Sequence, residues 1–325
     1  MAELAALAER YRRFAALEAA GKTPLYEAFA LQVAETEWLL AMLDALPPGK
    51  AQPNLLFAAV RHLFGTPPDA AALLDLADAH WPEIRALMLA RSTQTNEPNR
   101  CAVLLPLLSA LPQPLALIEV GAAAGLCLLP DRYGYDYGRL TLLPAATGPG
   151  TPIFPCRAEG GVPLPTALPQ VVWRAGIDLN PLDLEDPEAR AWLETLVWPG
   201  QEDRARRLRQ AIAIARRDPP RLLRGDLTEA LPALAAEAPK DATLVVFHSA
   251  VLAYLGEAAR ARFVETIGRL GATWIGNEAP AVLPEAAAAA GIEPDERRFL
   301  VSRDGVGKAL ADPHGGALSW LKAGR

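Results

Sequence analysis

Leu115-Ala116-Leu117-Ile118-Glu119-Val120-Gly121-Ala122-Ala123-Ala124-Gly125 is the stretch on which the fold turns. A short apolar run of strand length enters a loop made only of small residues. Small residues let a backbone turn tightly and let a ligand come close to the main chain. The spacing of the glycines is G-x-x-x-G. It is neither the G-x-G-x-x-G of a dinucleotide fold nor a P-loop, because no G-K-[ST] follows.

Before this stretch the pattern is helical throughout. Leu4, Leu7, Tyr11, Phe14 and Leu17 recur at helical spacing, and Tyr26, Phe29, Val33, Trp38, Leu39 and Leu43 mark a second helix after Pro24. Further helices are expected over 54–64, 82–90 and 99–111. Residues 1–111 therefore read as an all-α N-terminal cap region. After the stretch, apolar runs alternate with helical ones. Strands are expected at Val171–Asp178, Arg221–Arg224, Thr243–Phe247 and Thr273–Gly276, with an antiparallel pair from 297–301 and 317–321. This predicts an α/β fold over 112–325, with a Rossmann-like, seven-stranded mixed sheet and helices on both faces. Residues 131–170 read as an irregular insertion with one hairpin, 140–143 against 153–156.

The chain has 325 residues, of which 51% are hydrophobic and 22% charged, which excludes intrinsic disorder. A net charge of −6 argues against a protein that coats nucleic acid. Three cysteines without C-x-x-C spacing argue against a disulfide framework, and no metal-ligand constellation stands out. The N-terminus has no signal-peptide pattern. The uncharged run 101–118 contains Pro106, Pro112 and Pro114, and it reads as a buried helix entering a strand rather than a membrane span. A soluble, cytoplasmic protein is expected.

Candidate site residues gather near strand ends. Glu119 precedes the glycine loop (Gly121, Ala123, Gly125), Asp178 ends the second strand and Asp226 follows the third. In open parallel sheets, ligands lie beyond the carboxyl ends of the strands. A carboxylate there has two oxygens with which to accept both hydroxyls of a ribose. Taken singly, Asp178 and Asp226 are equally helix N-caps. His248, just past the fourth strand, is the candidate base, since histidine changes charge near neutrality; it is also readable as a hydrogen-bonded residue at a strand end. Gln94, Asn96, Glu97 and Arg100 form a polar cluster before the sheet and are expected to face substrate, or to cap the following helix. Tyr133 and Tyr135 are expected to line the acceptor pocket or to order the insertion, and Glu278, after the fifth strand, to face the same cleft. Ser249 lacks the flanking glycines of a hydrolase elbow. The arginines from Arg204 to Arg217 read as a solvated helix face.

Several of these motifs occur together, in order, in a known family. Ser92-Thr93-Gln94-Thr95-Asn96-Glu97, Arg100-Cys101, Glu119-Val120-Gly121, Leu129-Pro130-Asp131-Arg132-Tyr133-Gly134-Tyr135, Gly176-Ile177-Asp178-Leu179-Asn180-Pro181 and Trp198-Pro199-Gly200-Gln201 resemble an uncharacterised bacterial family, domain of unknown function 2332, over nearly the whole chain. That resemblance implies no reaction. The sheet domain separately resembles class I S-adenosylmethionine-dependent methyltransferases, in which Cys127 stands where a polar residue is usual. What this second resemblance implies is S-adenosylmethionine held by Glu119, the glycine loop, Asp178 and Asp226, and a small-molecule methyl acceptor. The alternatives are a non-catalytic nucleotide-binding or sensing protein on the same fold, and an RNA methyltransferase.

Overall fold

The computed structural model describes residues 2–94 and 96–322. The chain forms two compact units, one of residues 1–95 with 187–206 and the other of residues 96–186 with 207–325.

The described part of the first unit is helical, but the second helix expected after Pro24 is two, because the backbone turns extended at Thr36. Helices run Ala2–Phe14, Pro24–Ala34, Glu37–Asp44, Pro53–Phe64, Ala70–Ala79 and Trp81–Ala90, and Pro187–Thr195 returns to the same core. Pro24 and Pro53 open their helices, where a missing N–H removes no hydrogen bond. Gly65 closes the fourth with a left-handed φ of 82°. Aromatic residues are scarce in the chain, yet they concentrate here. Tyr11, Phe14 and Phe29 each meet Phe57 edge-on, and Tyr26 lies 5.0 Å from it. Trp192 is buried and donates from Nε1 to the Ser92 carbonyl at 2.9 Å.

The second unit is built on β1 (Leu115–Val120), β2 (Gly134–Asp136), β3 (Thr141–Leu142), β4 (Ile153–Pro155), β5 (Arg157–Glu159), β6 (Val171–Asp178), β7 (Arg221–Arg224), β8 (Thr243–Ser249), β9 (Thr273–Glu278), β10 (Phe299–Arg303), β11 (Val306–Ala311) and β12 (Ala317–Trp320). The main sheet has nine strands, ordered β5-β12-β11-β10-β9-β8-β1-β6-β7. The expected number was seven. The five parallel strands are where the sequence puts them. The extra two come from the tail and the insertion. The expected pair of 297–301 with 317–321 does not form, because β11 lies between β10 and β12: Asp304 and Gly305, both with positive φ, make the tight turn that pairs β10 with β11. The three-residue β5 is too short to give a period, and it joins β12 at the sheet edge.

The hairpin expected in the insertion is also corrected. β3 and β4 do not pair with each other. Both flank β2, β3 antiparallel and β4 parallel, in a separate three-stranded sheet.

All six residues of β1 are buried, as befits a central strand read as an unbroken apolar run. From β1 the chain moves to β6 and β7 on one side, then crosses back to β8 and β9 on the other. The reversal falls between β1 and β8, and in open parallel sheets ligands lie beyond the carboxyl ends of the strands at such a point. Helix Cys101–Ser109, buried along nearly its whole length despite Pro106, packs against β9 and β10. No helix among the described residues is long and apolar enough to cross a membrane.

Strand register sorts the polar residues by face. Glu119 pairs with Gly176 and Phe247, and Ser249 with Asn277. Side chains alternate along each strand, so Glu119, Asp178, Ser249 and Asn277 share one face. His248 pairs with Gly276, which puts His248, Trp274, Glu278 and Ser302 on the other face. That second face packs in the core with Val120, Ile177, Val246 and Leu300, under helices Leu227–Ala235, Glu257–Leu270 and Pro284–Ala289.

Candidate functional site

The loop after β1 is fixed by backbone strain and by Asp178. Gly121, Ala123 and Gly125 all have left-handed φ (71°, 47° and 70°). For Ala123 this conformation costs energy, and it persists because Asp178 Oδ2 accepts the Ala123 amide at 2.8 Å. Asp178 Oδ1 accepts the Asn180 amide at 2.7 Å, so one carboxylate orders the turns after both β1 and β6. Gly121 is needed for closeness as well as for φ, because a Cβ there would lie 2.3 Å from Val251 Cγ2.

Five amides of this loop are already bonded within the protein. Gly121 and Ala122 donate to the Ile177 carbonyl at 2.8 and 3.1 Å, Gly125 to Ala122 at 2.6 Å, and Leu126 to Asn96 Oδ1 at 3.3 Å. A phosphate cradle needs amides turned toward its anion. These four and that of Ala123 turn inward, so the loop suits a ligand recognised by side-chain charge.

The ionisable side chains of the site are Glu119 and Arg100. Glu119 is 6% exposed, its Oε2 is fully buried and it has no hydrogen-bond partner. Burial pushes its carboxyl well above the usual carboxylate range; neighbouring Cys127 and Asp178 push the same way, and Arg100 opposes them. Arg100 is also buried. Its Nε donates to the Pro313 carbonyl at 2.9 Å and its Nη1 to the Ser249 carbonyl at 3.1 Å.

The segment around Arg100 is a structural hub. Asn96 Nδ2 reaches the Ala122 carbonyl at 3.4 Å, so Asn96 clamps the glycine loop from both sides. Glu97 caps the Asn99 amide at 3.1 Å and lies 3.8 Å from His314. Asn99 donates to the His314 carbonyl at 3.0 Å, and a Cβ on Gly315 would lie 2.2 Å from the Asn99 carbonyl oxygen. Cys127 Sγ approaches the Glu97 carbonyl at 3.4 Å. Asn96, Glu97, Arg100, Glu119, Gly121, Ala123, Gly125 and Asp178 are thus brought together.

Other expected site residues lie elsewhere. His248 is fully buried on the opposite face. The Trp274 indole N–H can only donate, so His248 Nε2 accepts it at 2.9 Å, and Nδ1 carries the hydrogen that goes to Glu278 Oε1 at 2.7 Å. Both ring nitrogens are therefore engaged, and in this arrangement His248 has no lone pair for a substrate proton. Glu278 Oε1 also accepts the amides of Val251 and Leu252 at 2.8 and 3.0 Å, so it shapes the turn after β8.

Tyr133 and Tyr135 do not line a cleft. Both are fully buried, and they donate to the carbonyls of Leu126 (2.8 Å) and Pro130 (2.7 Å). They order the insertion, with Asp131, which grips Arg174 through two bonds of 2.8 and 2.9 Å. Tyr133→Phe is expected to cost about 1–2 kcal/mol in urea unfolding, because the buried Leu126 carbonyl loses its donor.

Asp226 caps helix Leu227–Ala235 through the Thr228 amide at 2.7 Å, and the Thr228 hydroxyl and amide hold its carboxyl below the usual range. Gln94 belongs to the first unit. Within the arginine-rich helix, Arg206 pairs with Asp203 and Arg216 doubly with Glu185.

Asn277 is the residue that the sequence reading missed. It is fully buried, donates from Nδ2 to Ser249 Oγ at 2.7 Å and leaves its Oδ1 without a donor. Its signal was a polar pair, Asn277-Glu278, closing an otherwise apolar strand.

Compared with known proteins, residues 8–320 match the family described as an uncharacterised protein conserved in bacteria, DUF2332. No curated protein and no solved structure matches.

Proposed function

The chain belongs to the bacterial family DUF2332, and from that premise we propose that the carboxyl edge around Glu119 binds S-adenosylmethionine and that the protein is a methyltransferase for a small-molecule acceptor. The observation that carries this reading is the buried Glu119 Oε2 with no hydrogen-bond partner, beside a loop in which the amides of Gly121, Ala122, Ala123, Gly125 and Leu126 are already taken. Such a site suits a ligand that brings a cation and carries no phosphate. S-adenosylmethionine is such a ligand, and the residues present fit it.

Strand order supports the reading. The run β7-β6-β1-β8-β9, with acids at the ends of β1 and β6, resembles the parallel half of class I methyltransferases. The antiparallel run β10-β11-β12 departs from the seven-stranded pattern. When bound, the cofactor supplies an electrophilic methyl group on its sulfonium. Glu119 would meet the cofactor's ammonium, and Asp178, at the end of β6, would lie toward the ribose. The protein's main contribution is then orientation of the acceptor in line with the methyl group, which needs no His248 base.

Calorimetric titration with S-adenosylhomocysteine tests this. Asp178→Asn is expected to weaken binding about 10–100-fold, the worth of a hydrogen bond to a charged group. No heat with either S-adenosylmethionine or S-adenosylhomocysteine overturns the reading.

A second reading, a sensing protein that binds the ligand without turnover, is favoured by the engagement of both His248 ring nitrogens. A methyl-acceptor screen separates the two, since turnover of any acceptor eliminates the sensor.

A further inference from the structure

The three cysteines of the chain all lie in the second unit, and all are buried and free. Two of them meet behind the glycine loop. Cys101 opens helix Cys101–Ser109 and is fully buried. Cys127 lies in the short turn Leu126–Leu128 directly after Gly125 and is 6% exposed. Their contacts are reciprocal. The Cys101 thiol donates to the Cys127 carbonyl at 3.5 Å, and the Cys127 thiol donates at 3.4 Å to the carbonyl of Glu97, on the segment that leads into Cys101. Each sulfur therefore rests on the main chain of the other's segment. The bond from the Leu126 amide to Asn96 Oδ1 ties the same two segments together. The neighbouring Cys101 thiol and burial both push the Cys127 thiol well above its usual range.

Two thiols held in this way have a reaction open to them that a single thiol lacks. A sulfenic acid formed on one condenses with the other to a disulfide. We propose that Cys101 and Cys127 are a modification site, a dithiol that hydrogen peroxide converts to a disulfide. Cys127, the more exposed of the two, reacts first. Its thiolate attacks one peroxide oxygen, the O–O bond breaks, the other oxygen leaves as water, and a sulfenic acid remains. The Cys101 sulfur then attacks the Cys127 sulfur, the S–O bond breaks, and the hydroxyl leaves as a second water. Two electrons pass from the sulfurs to the peroxide, and the two thiol protons end in the two waters. The new bond staples the segment 96–101 to the turn behind the glycine loop. In the resting protein, burial keeps Cys127 protonated, so the pair oxidises slowly. Disulfide formation needs no ligand at the carboxyl edge, so it stands or falls apart from the methyltransferase reading.

The test is hydrogen peroxide treatment of the folded full chain, followed by thiol titration in denaturant and peptide mapping without reductant. Titratable thiols are expected to fall from three to one and to return with dithiothreitol, and the map is expected to show a Cys101–Cys127 link with Cys156 unmodified. The rate is expected to rise about tenfold per pH unit through the alkaline range, because the thiolate reacts and the folded protein holds Cys127 protonated. Cys101→Ser is expected to stop at a dimedone-reactive sulfenic acid on Cys127. Peroxide added to the denatured chain is the control, in which Cys127 is expected to lose its preference for Cys101 over Cys156. Three intact thiols after treatment of the folded protein overturn the proposal. So do links shared with Cys156 in the folded protein, or a thiol loss that dithiothreitol does not reverse.

Discussion

Glu278→Ala is expected to destabilise the protein by about 3–5 kcal/mol in denaturant unfolding, with little change in the m-value. One oxygen, Glu278 Oε1, accepts from His248 Nδ1, from the Val251 amide and from the Leu252 amide. His248 and Leu252 are buried, and Glu278 itself is 1% exposed, so water is poorly placed to replace the carboxylate. Each orphaned buried donor costs about 1–3 kcal/mol, and three in one network fall short of their simple sum. Glu278→Gln keeps an acceptor oxygen and is expected to lose less than half as much. The damage is also local. Val251 fills the space over Gly121, so amide exchange at 251 and 252 is expected to accelerate before that of β8. A loss below 1 kcal/mol for the alanine variant would mean that this carboxylate does not hold the turn.

Glu119→Gln is expected to have the opposite sign at neutral pH. The Glu119 carboxyl titrates well above its ordinary value in the folded protein, chiefly because burial disfavours its charge. At pH 4 and below, both folded and unfolded chains hold the proton, and the group contributes nothing that changes with pH. Above the ordinary value the unfolded chain releases the proton while the folded chain retains it. The wild type therefore loses about 1.4 kcal/mol per pH unit from this group until the raised folded value is passed. Glutamine has no such proton. The variant is expected to gain on the wild type progressively as the pH rises above the ordinary carboxylate value. Parallel stability–pH profiles for the two proteins would contradict this.

Much of this architecture could be read from particular residues. Leu115–Val120 and the small-residue loop marked the central strand, because a strand buried on both faces needs an unbroken apolar run. The helical spacing of Tyr11, Phe14, Tyr26 and Phe29 foretold the aromatic core of the first unit. The site was legible as a set of strand-end acids and a polar segment, and Glu119, Asp178, Asn96 and Arg100 do converge. What sequence lacked was the face of each side chain. His248 and Ser249 are adjacent, yet they point to opposite sides of the sheet, and only the pairing of β8 with β1 and β9 reveals which one shares a side with Glu119. Tyr133 and Tyr135 misled for a related reason. A tyrosine behind a glycine loop looks like a pocket wall until its hydroxyl is seen bonded to a neighbouring carbonyl. The sheet edge was missed because β5 is too short for any period to register.

The anchoring of Arg100 also carries a consequence for how the protein comes to exist. Its acceptor on Pro313 is separated from it by 213 positions, and the Asn99 contact with His314 by 215. Contacts of such long range close late, after the intervening loops have been organised. On the ribosome, β1 and the glycine loop emerge early, but the guanidinium keeps only its Ser249 partner until the turn between β11 and β12 has been synthesised. Chains that stall shortly before residue 312 are expected to present a sheet whose Arg100 lacks its Pro313 acceptor, and competence to bind would then depend on synthesis past that turn.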